Sequence, residues 1–275
     1  MIVAGIDVGA VATKAVILKD GEVVGKGIAT TGVEQKEAIE EALAEAIKNA
    51  GISRSDIERI GATGAGGKVV DFADNKEIQD VVADAAGVHF LFPQAKTVID
   101  VGGEESRGIK VDERGKVADF ALNERCAAGA GAFVEAMARA LEVKTEEMGE
   151  LSLKSTQDIE INAQCTIFAE SEVVSQIHAK TTKPDIARAV HEGMATRIVS
   201  MARRAGIEGE VALIGGVAYN SGFVDRIKHH IGKDLLIPED PQIVGAIGAA
   251  TIVASGLEGE LKAPPPKLDT EKEWR

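Results

Sequence analysis

Apolar runs of strand length alternate along this chain with stretches of helical period. Residues 2–8 are apolar up to Asp7, and Ala15-Val16-Ile17-Leu18 is the next such run. After the turn dipeptide Asp20-Gly21, residues 22–29 read as a third strand, so the chain opens as an antiparallel meander. From Glu34 to Ala50, Ala38, Ile39, Ala42, Leu43, Ala46 and Ile47 recur at helical spacing, and Gly51 stops the helix. Residues 57–64 predict a strand ending in the glycine loop 64–67. Val69–Ala86 predicts a helix ended by Gly87. Residues 97–117 then read strand, glycine-rich turn, strand, polar turn, strand. Further helices are predicted up to Leu141 (Phe133, Met137, Ala140, Leu141) and over Gln164–Lys180, with Ile167, Phe168, Val173, Val174 and Ile177 as core positions. Pro184–Gly206 predicts a long helix. A buried strand over 210–214, a helix over 220–231, a short strand over 235–238 and a glycine-bearing helix over 241–253 complete the pattern. The Pro264-Pro265-Pro266 tail is expected to be disordered. The fold class is α/β.

One theme occurs twice. Asp7-Val8-Gly9 and Asp100-Val101-Gly102 each end an apolar strand and each precede two further strands, and Asp100 lies 93 positions after Asp7. An internal repeat of this kind predicts two related lobes closing on one ligand. Turns rich in Gly and Thr let backbone N–H groups approach an anion, as well as being plain hairpin turns. Lys14 can add a point charge, and Asp7 can hold a metal ion through water. The expected division is 1–96 plus 241–258 for one lobe and 97–240 for the other, with 259–275 as a tail.

The whole-chain numbers narrow the function. With 45% apolar residues, the 275-residue chain should bury a proper core. A net charge of −13 argues against nucleic acid or an anionic membrane as partner, and 3% aromatics leaves few stacking platforms. No stretch has the length of a membrane span, and the start reads as a strand and not a signal peptide, so a cytoplasmic location is expected. Cys126 and Cys165 each open a predicted helix. A disulfide is rare in a reducing cytoplasm. Each cysteine is therefore a small buried hydrophobe or a soft ligand, and two ligands cannot close a four-coordinate site within one chain.

Asp7-Val8-Gly9 with Thr13-Lys14, then Asp100-Val101-Gly102-Gly103, then Leu213-Ile214-Gly215-Gly216-Val217-Ala218, stand in the order of the two phosphate loops and the adenosine loop that mark the actin, sugar-kinase and heat-shock-chaperone ATPases. With Asn123-Glu124-Arg125-Cys126-Ala127-Ala128-Gly129-Ala130-Gly131 and Asn162-Ala163-Gln164-Cys165, the chain resembles the iron–sulfur ATPases that activate 2-hydroxyacyl-CoA dehydratases, and the related ATPase subunits of benzoyl-CoA reductase. The resemblance covers residues 2–255. It implies two ribonuclease-H-like lobes around an ATP/ADP cleft, and a homodimer or pseudo-symmetric heterodimer in which Cys126 and Cys165 of both subunits hold one [4Fe–4S] cluster. It also implies a ferredoxin or flavodoxin as electron donor and a CoA-ester dehydratase or reductase as partner. On this pattern Asp7 and Asp100 would hold Mg²⁺ and order water. Gly9, Ala12, Thr13, Lys14, Gly102 and Gly103 would hold phosphates, and Gly215, Gly216 and Ala218 would face adenosine.

The sequence departs from that family in places. The usual Gly-Gly-Gln-Asp-x-Lys run is Gly102-Gly103-Glu104-Glu105-Ser106-Arg107, the loop at 63–67 is reduced to Thr-Gly-Ala-Gly-Gly, and a position often held by histidine is Asp84. Glu104 could pair with Arg107 or act on water or metal itself. These changes lean toward the benzoyl-CoA-reductase type or a divergent partner. The alternatives are a small-molecule kinase of the same superfamily with buried cysteines, and a non-catalytic ATP-sensing subunit.

Overall fold

The apolar runs become the inner strands of two sheets. A computed structural model describes residues 1–74, 77–123, 130–161 and 165–256. β1 (Ile2–Val8), β2 (Ala12–Lys19), β3 (Glu22–Thr30) and β4 (Arg59–Thr63) form a sheet of order β3-β2-β1-β4. β5 (Ala95–Val101), β6 (Ser106–Val111), β7 (Val117–Asn123), β8 (Glu210–Ile214) and β9 (Leu235–Leu236) form the second, of order β7-β6-β5-β8-β9. In each, an antiparallel meander is extended by a parallel strand laid beside its first strand: β4 on β1, and β8 on β5. The repeat read from the two Asp-Val-Gly sequences is a repeat of topology.

Helix α1 (Gln35–Ala50) covers one face of the first sheet with Ala38, Ile39, Ala42, Leu43 and Ala46, packed on Ala4, Ile6, Val8, Ala15 and Ile17. The other face meets α8 (Val244–Ser255), whose Ala246, Ile247 and Ala250 pack with Val3, Val16 and Leu18. Helix α2 (Asp80–Leu91) packs against α8 through Ala83 and turns Val81, Ala85 and Val88 to Val98, Ile109, Ala212 and Ile214 of the second sheet. The α2–α8 pair therefore lies between the sheets. It crosses at very short range, since a side chain on Gly248 would stand 1.8 Å from the Ala83 carbonyl oxygen. The far face of the second sheet is covered by α3 (Gly131–Ala140), α4 (Met148–Ser152), α5 (Thr166–His178), α6 (Lys183–Ala205) and α7 (Ser221–Ile231). Phe133, Met137, Leu141, Ile186, Val190, Met194, Ile198 and Phe223 fill that layer.

Two sequence expectations fail for identifiable reasons. The helix expected over Val69–Ala86 begins only at Asp80. The preceding segment serves instead as a partner for edge strand β4: Asp74 N–H donates to the Ile60 carbonyl (2.8 Å), its carboxylate accepts from Ile60 N–H (2.6 Å), and Ile78 N–H reaches the Ala62 carbonyl (3.3 Å). Those bonds satisfy an open sheet edge, which a helix over the same residues would leave bare. Gly87 does not end α2. It lies inside the helix, where a β-carbon would stand 2.2 Å from the Val244 carbonyl oxygen of α8.

The core assigned to α5 is also wrong. Of the five named positions only Val173 is buried, while Ile167 is 72% and Phe168 67% exposed, with Val174 and Ile177 exposed beside them. The 235–238 strand is reduced to two residues. No helix among the described residues is long and apolar enough to cross a membrane. The 259–275 tail and Cys126 lie outside the described residues.

Candidate functional site: a cleft with two acid–cation pairs

Asp7 and Asp100 occupy matching places near the carboxyl ends of β1 and β5. The turn after Asp7 is closed by Gly9 N–H to the Ala12 carbonyl (3.2 Å), and the turn after Asp100 by Gly102 N–H to the Glu105 carbonyl (2.9 Å). Antiparallel register then sets Lys14 opposite Asp7 and Arg107 opposite Asp100. Both pairs form: Lys14 Nζ is 2.8 Å from Asp7 Oδ2, and Arg107 Nη1 is 2.6 Å from Asp100 Oδ2. The same 93-residue offset relates the acids, the turn bonds and the cations.

The parallel strands complete the symmetry. Thr63 of β4 pairs with Asp7, and Ile214 of β8 with Asp100, and a glycine at positive φ follows each: Gly64 at +86° and Gly215 at +87°. A β-carbon on Gly64 would stand 2.6 Å from Asp7 Oδ1, and one on Gly215 2.5 Å from Asp100 Oδ1. These glycines form the backs of the two carboxylate seats.

Together the three turns line a cavity of about 500 Å³. Of the residues singled out from sequence, Asp7, Gly9, Ala12, Lys14, Asp100, Gly102, Gly103, Glu104, Gly215 and Gly216 meet on its wall. Thr13 and Ala218 do not reach it. Thr13 is fully buried, its hydroxyl 3.0 Å from that of Thr31, which donates to the Gly9 carbonyl (2.7 Å) and so braces the turn from below. Ala218 is buried in the core of the second sheet. Glu104 is exposed at the mouth, and the partner foreseen for it, Arg107, is taken by other carboxylates.

Sequence reasoning missed most of that acidic cluster. Arg107 bonds Asp80 (2.7 Å) and Glu105 (2.8 Å) as well as Asp100, and lies 3.6 Å from Asp84. The signal was present in the spacing, because Asp80 and Asp84 are one helical turn apart and share a face of α2. Burial pushes the Asp84 carboxyl well above its ordinary range, and repulsion from Asp100 adds to this against the pull of Arg107. Burial also raises Asp100, with Arg107 opposing. Burial alone would weaken the hold of Lys14 on its proton, but Asp7, Asp100 and Asp84 outweigh it and hold the ammonium charged. Arg107 is likewise held charged by its carboxylates against burial.

The donor set suits Mg²⁺. Several hard carboxylate oxygens stand together, and Asp84 Oδ2 is buried with no hydrogen-bond partner. Cys165 fits a different group. Its thiol is half-buried and free of any disulfide, at the N-cap of α5.

Among the described residues, the first helix after position 126 is α3, and it begins on the second turn. Gly131 N–H donates to the Gly102 carbonyl (2.9 Å) and Ala132 N–H to that of Gly103 (2.8 Å). The third turn is pinned by Gly215 N–H to the Pro241 carbonyl (2.9 Å), just ahead of α8.

The sequence matches the BadF/BadG/BcrA/BcrD ATPase family over residues 4–253. The chain belongs to this family. Its fold is that of the actin-like ATPases and sugar kinases. It is 40% identical over 253 residues to the activator of lactoyl-CoA dehydratase from Anaerotignum propionicum, covering 90% of this chain and 95% of that one. The solved structure of the activator of the 2-hydroxyisocaproyl-CoA dehydratase from Clostridium difficile with bound ADPNP superposes with a TM-score of 0.87 at 33% identity, covering 96% and 100% of the two chains. Identity to a benzoyl-CoA reductase component from Thauera aromatica is lower, 29% over 261 residues, with 90% and 92% covered.

Proposed function

We propose that this family ATPase is an activator of a CoA-ester-processing enzyme of the 2-hydroxyacyl-CoA dehydratase type, to which it delivers a low-potential electron at the expense of ATP. The observation that carries this reading is the pair of hydrogen bonds from Gly131 and Ala132 to Gly102 and Gly103, because they fasten the start of the helix that follows Cys126 to the second turn of the ATP cleft.

In this reading residues 1–96 with 241–258 form one lobe and 97–240 the other, closing on ATP. Lys14 and the N–H groups of the two turns face the phosphates, and Gly215-Gly216 lets the adenosine lie against backbone. Asp7 and Asp100 orient the attacking water and would hold Mg²⁺, which supplies charge neutralisation at the phosphates when bound. Cys126 and Cys165 of two copies would supply the four thiolates that hold one [4Fe–4S] cluster, which would provide one-electron chemistry, with a ferredoxin or flavodoxin as the electron donor. The exposed Ile167 and Phe168 beside Cys165 belong to the surface that a second copy covers. A shift of the second turn on closure moves the α3 N-terminus with it, since backbone bonds join them.

The test is anaerobic purification with iron quantified per chain and ATP turnover measured with and without Mg²⁺. Two irons per chain, lost in Cys165→Ser, and Mg²⁺-dependent hydrolysis are expected. A colourless protein that phosphorylates a sugar or an acid would sink the activator reading in favour of a small-molecule kinase.

A further inference from the structure

Arg107 has a position that Lys14, its repeat counterpart, does not share. Lys14 bonds the one carboxylate opposite it. The Arg107 side chain, 15% exposed, instead joins three elements: Nη1 donates to Asp100 Oδ2 on β5, while Nη2 donates to Asp80 Oδ2 on α2 and to Glu105 Oε2 in the second turn. Asp80 passes the connection on. Its other oxygen, Oδ1, accepts from the Gly64 N–H (2.7 Å) just past the end of β4, and the Thr63 hydroxyl, whose one proton it shares with the Ile78 carbonyl (2.8 Å), lies 3.0 Å away. Gly64 is the residue whose backbone backs the Asp7 carboxylate. An unbroken path of charge-assisted bonds thus runs from Asp100 through one guanidinium and one carboxylate to the seat of Asp7, crossing from the second sheet to the first.

Resting on the ATPase reading, we infer that Arg107 is a positioning residue that aligns both acids of the cleft at once, Asp100 directly and Asp7 through Asp80 and the Gly64 turn. Only a planar fork can do this. Two nitrogens fixed in one plane hold two carboxylates at a set separation, whereas an ammonium is a single point with freely rotating donors. The arrangement accounts for a fourth acid as well. The nearest cation to Asp84 Oδ2, which makes no hydrogen bond, is the same guanidinium. The charge of Arg107 is thus consumed by protein carboxylates, and it orders the cleft without being a phosphate ligand.

The experiment compares Arg107→Lys, Arg107→Met and Asp80→Asn in the full chain by steady-state ATP hydrolysis, thermal melting and amide hydrogen exchange over residues 63–66. Misaligned acids cost transition-state stabilisation, so kcat should fall about tenfold to a hundredfold in Arg107→Lys. KM for ATP should stay within about twofold, because uniform binding is untouched. Arg107→Met should lose at least as much. Asp80→Asn, which leaves the Asp100 pair in place, should lose less, and all three should exchange the Gly64 amide faster than wild type. Arg107→Lys with wild-type kcat would show that charge alone suffices and overturn the inference. So would a large rise in KM at constant kcat, which would make Arg107 a direct phosphate ligand. If the wild type hydrolyses no ATP, the functional reading fails. The exchange comparison still decides the inference, because unchanged protection of Gly64 in Arg107→Met refutes the relay whatever the activity.

Discussion

Gly215 and Gly216 are adjacent and both line the cleft. The structure separates them. Gly215 has φ +87° and ψ 166°, a region that only glycine occupies without strain. Its missing β-carbon would stand 2.4 Å from the Val101 carbonyl oxygen and 2.5 Å from Asp100 Oδ1. A β-carbon on Gly216 meets nothing within 4 Å. For Gly215→Ala the backbone strain is about 1–3 kcal/mol. Displacing a strand carbonyl and a carboxylate adds roughly 1–3 kcal/mol of overpacking. At about 2–4 °C per kcal/mol for a chain of this size, the melting temperature should fall by roughly 4–24 °C. For Gly216→Ala the loss of unfolded-chain freedom favours the folded state by about 0.4–1 kcal/mol, so melting should be unchanged or slightly higher. The functional effects differ too. Gly215→Ala pushes the Asp100 carboxylate off its seat and should abolish turnover. Gly216→Ala places a methyl group where the proposed adenosine lies, raising KM while the acids stay in place. The assay is differential scanning fluorimetry of the nucleotide-free proteins beside ATP titrations of the turnover rate. Melting temperatures of the two variants within about 1 °C of each other would refute the account.

Three further outcomes follow from the same geometry. Asp84 has its carboxyl raised by burial, so its contribution to stability is present below the ordinary carboxylate pKa and is lost as pH rises through the raised value. Asp84→Asn should therefore melt higher than wild type at pH 8 without nucleotide or metal, and the difference should shrink as the pH is lowered. A constant difference across pH would show that charge burial is not its source. Gly248→Ala places a β-carbon 1.8 Å from the Ala83 carbonyl oxygen and must spread α2 from α8, costing about 1–3 kcal/mol or more, visible as a lower urea midpoint. Phe168→Glu puts a charge into the exposed apolar surface beside Cys165. It should leave the melting temperature of the monomeric fold within about 2 °C, while anaerobic size-exclusion chromatography and iron analysis should show loss of the proposed dimer and of the iron proposed to bridge it.

The fold was legible wherever chemistry repeats locally. The strand ends at Asp7 and Asp100, the meanders after them and the α1 face could all be read, because strand period, turn dipeptides and helical spacing are properties of short windows. What could not be read depends on what a segment meets. The stretch before Asp80 has helical composition, but β4 offers it an unfilled edge, and edge pairing decides. Gly87 looks like a helix stop until the α2–α8 crossing shows that it is a point of contact, as is Gly248 within the predicted glycine-bearing helix. The Ile167–Ile177 stripe has the spacing of a core face. Spacing marks a face as apolar and cannot say whether its cover lies in the same chain. Thr13 stands where the motif puts a phosphate ligand, whereas its hydroxyl is turned inward to Thr31.

The acidic cluster is the most instructive case, because the sequence held half of the rule that builds it. Antiparallel pairing across a tight turn puts the residue seven positions after each strand-end acid opposite that acid, which is why Lys14 and Arg107 are cations in equivalent places. If that were the whole rule, lysine would serve at both. The first acid needs only a point charge. The second faces α2, which presents Asp80 and Asp84 to the cleft at one-turn spacing, so the cation there must satisfy several carboxylates in a dry site or leave charge uncompensated. A guanidinium does this and an ammonium does not. The departures from the family motif at Arg107 and Asp84 are thus two sides of one contact, and their energies should not add. In a double-mutant cycle at one pH, Arg107→Lys should cost less stability in the Asp84→Asn background than in wild type, by about 0.5–3 kcal/mol of coupling. Strict additivity would mean that the 3.6 Å approach of the two groups carries no energy.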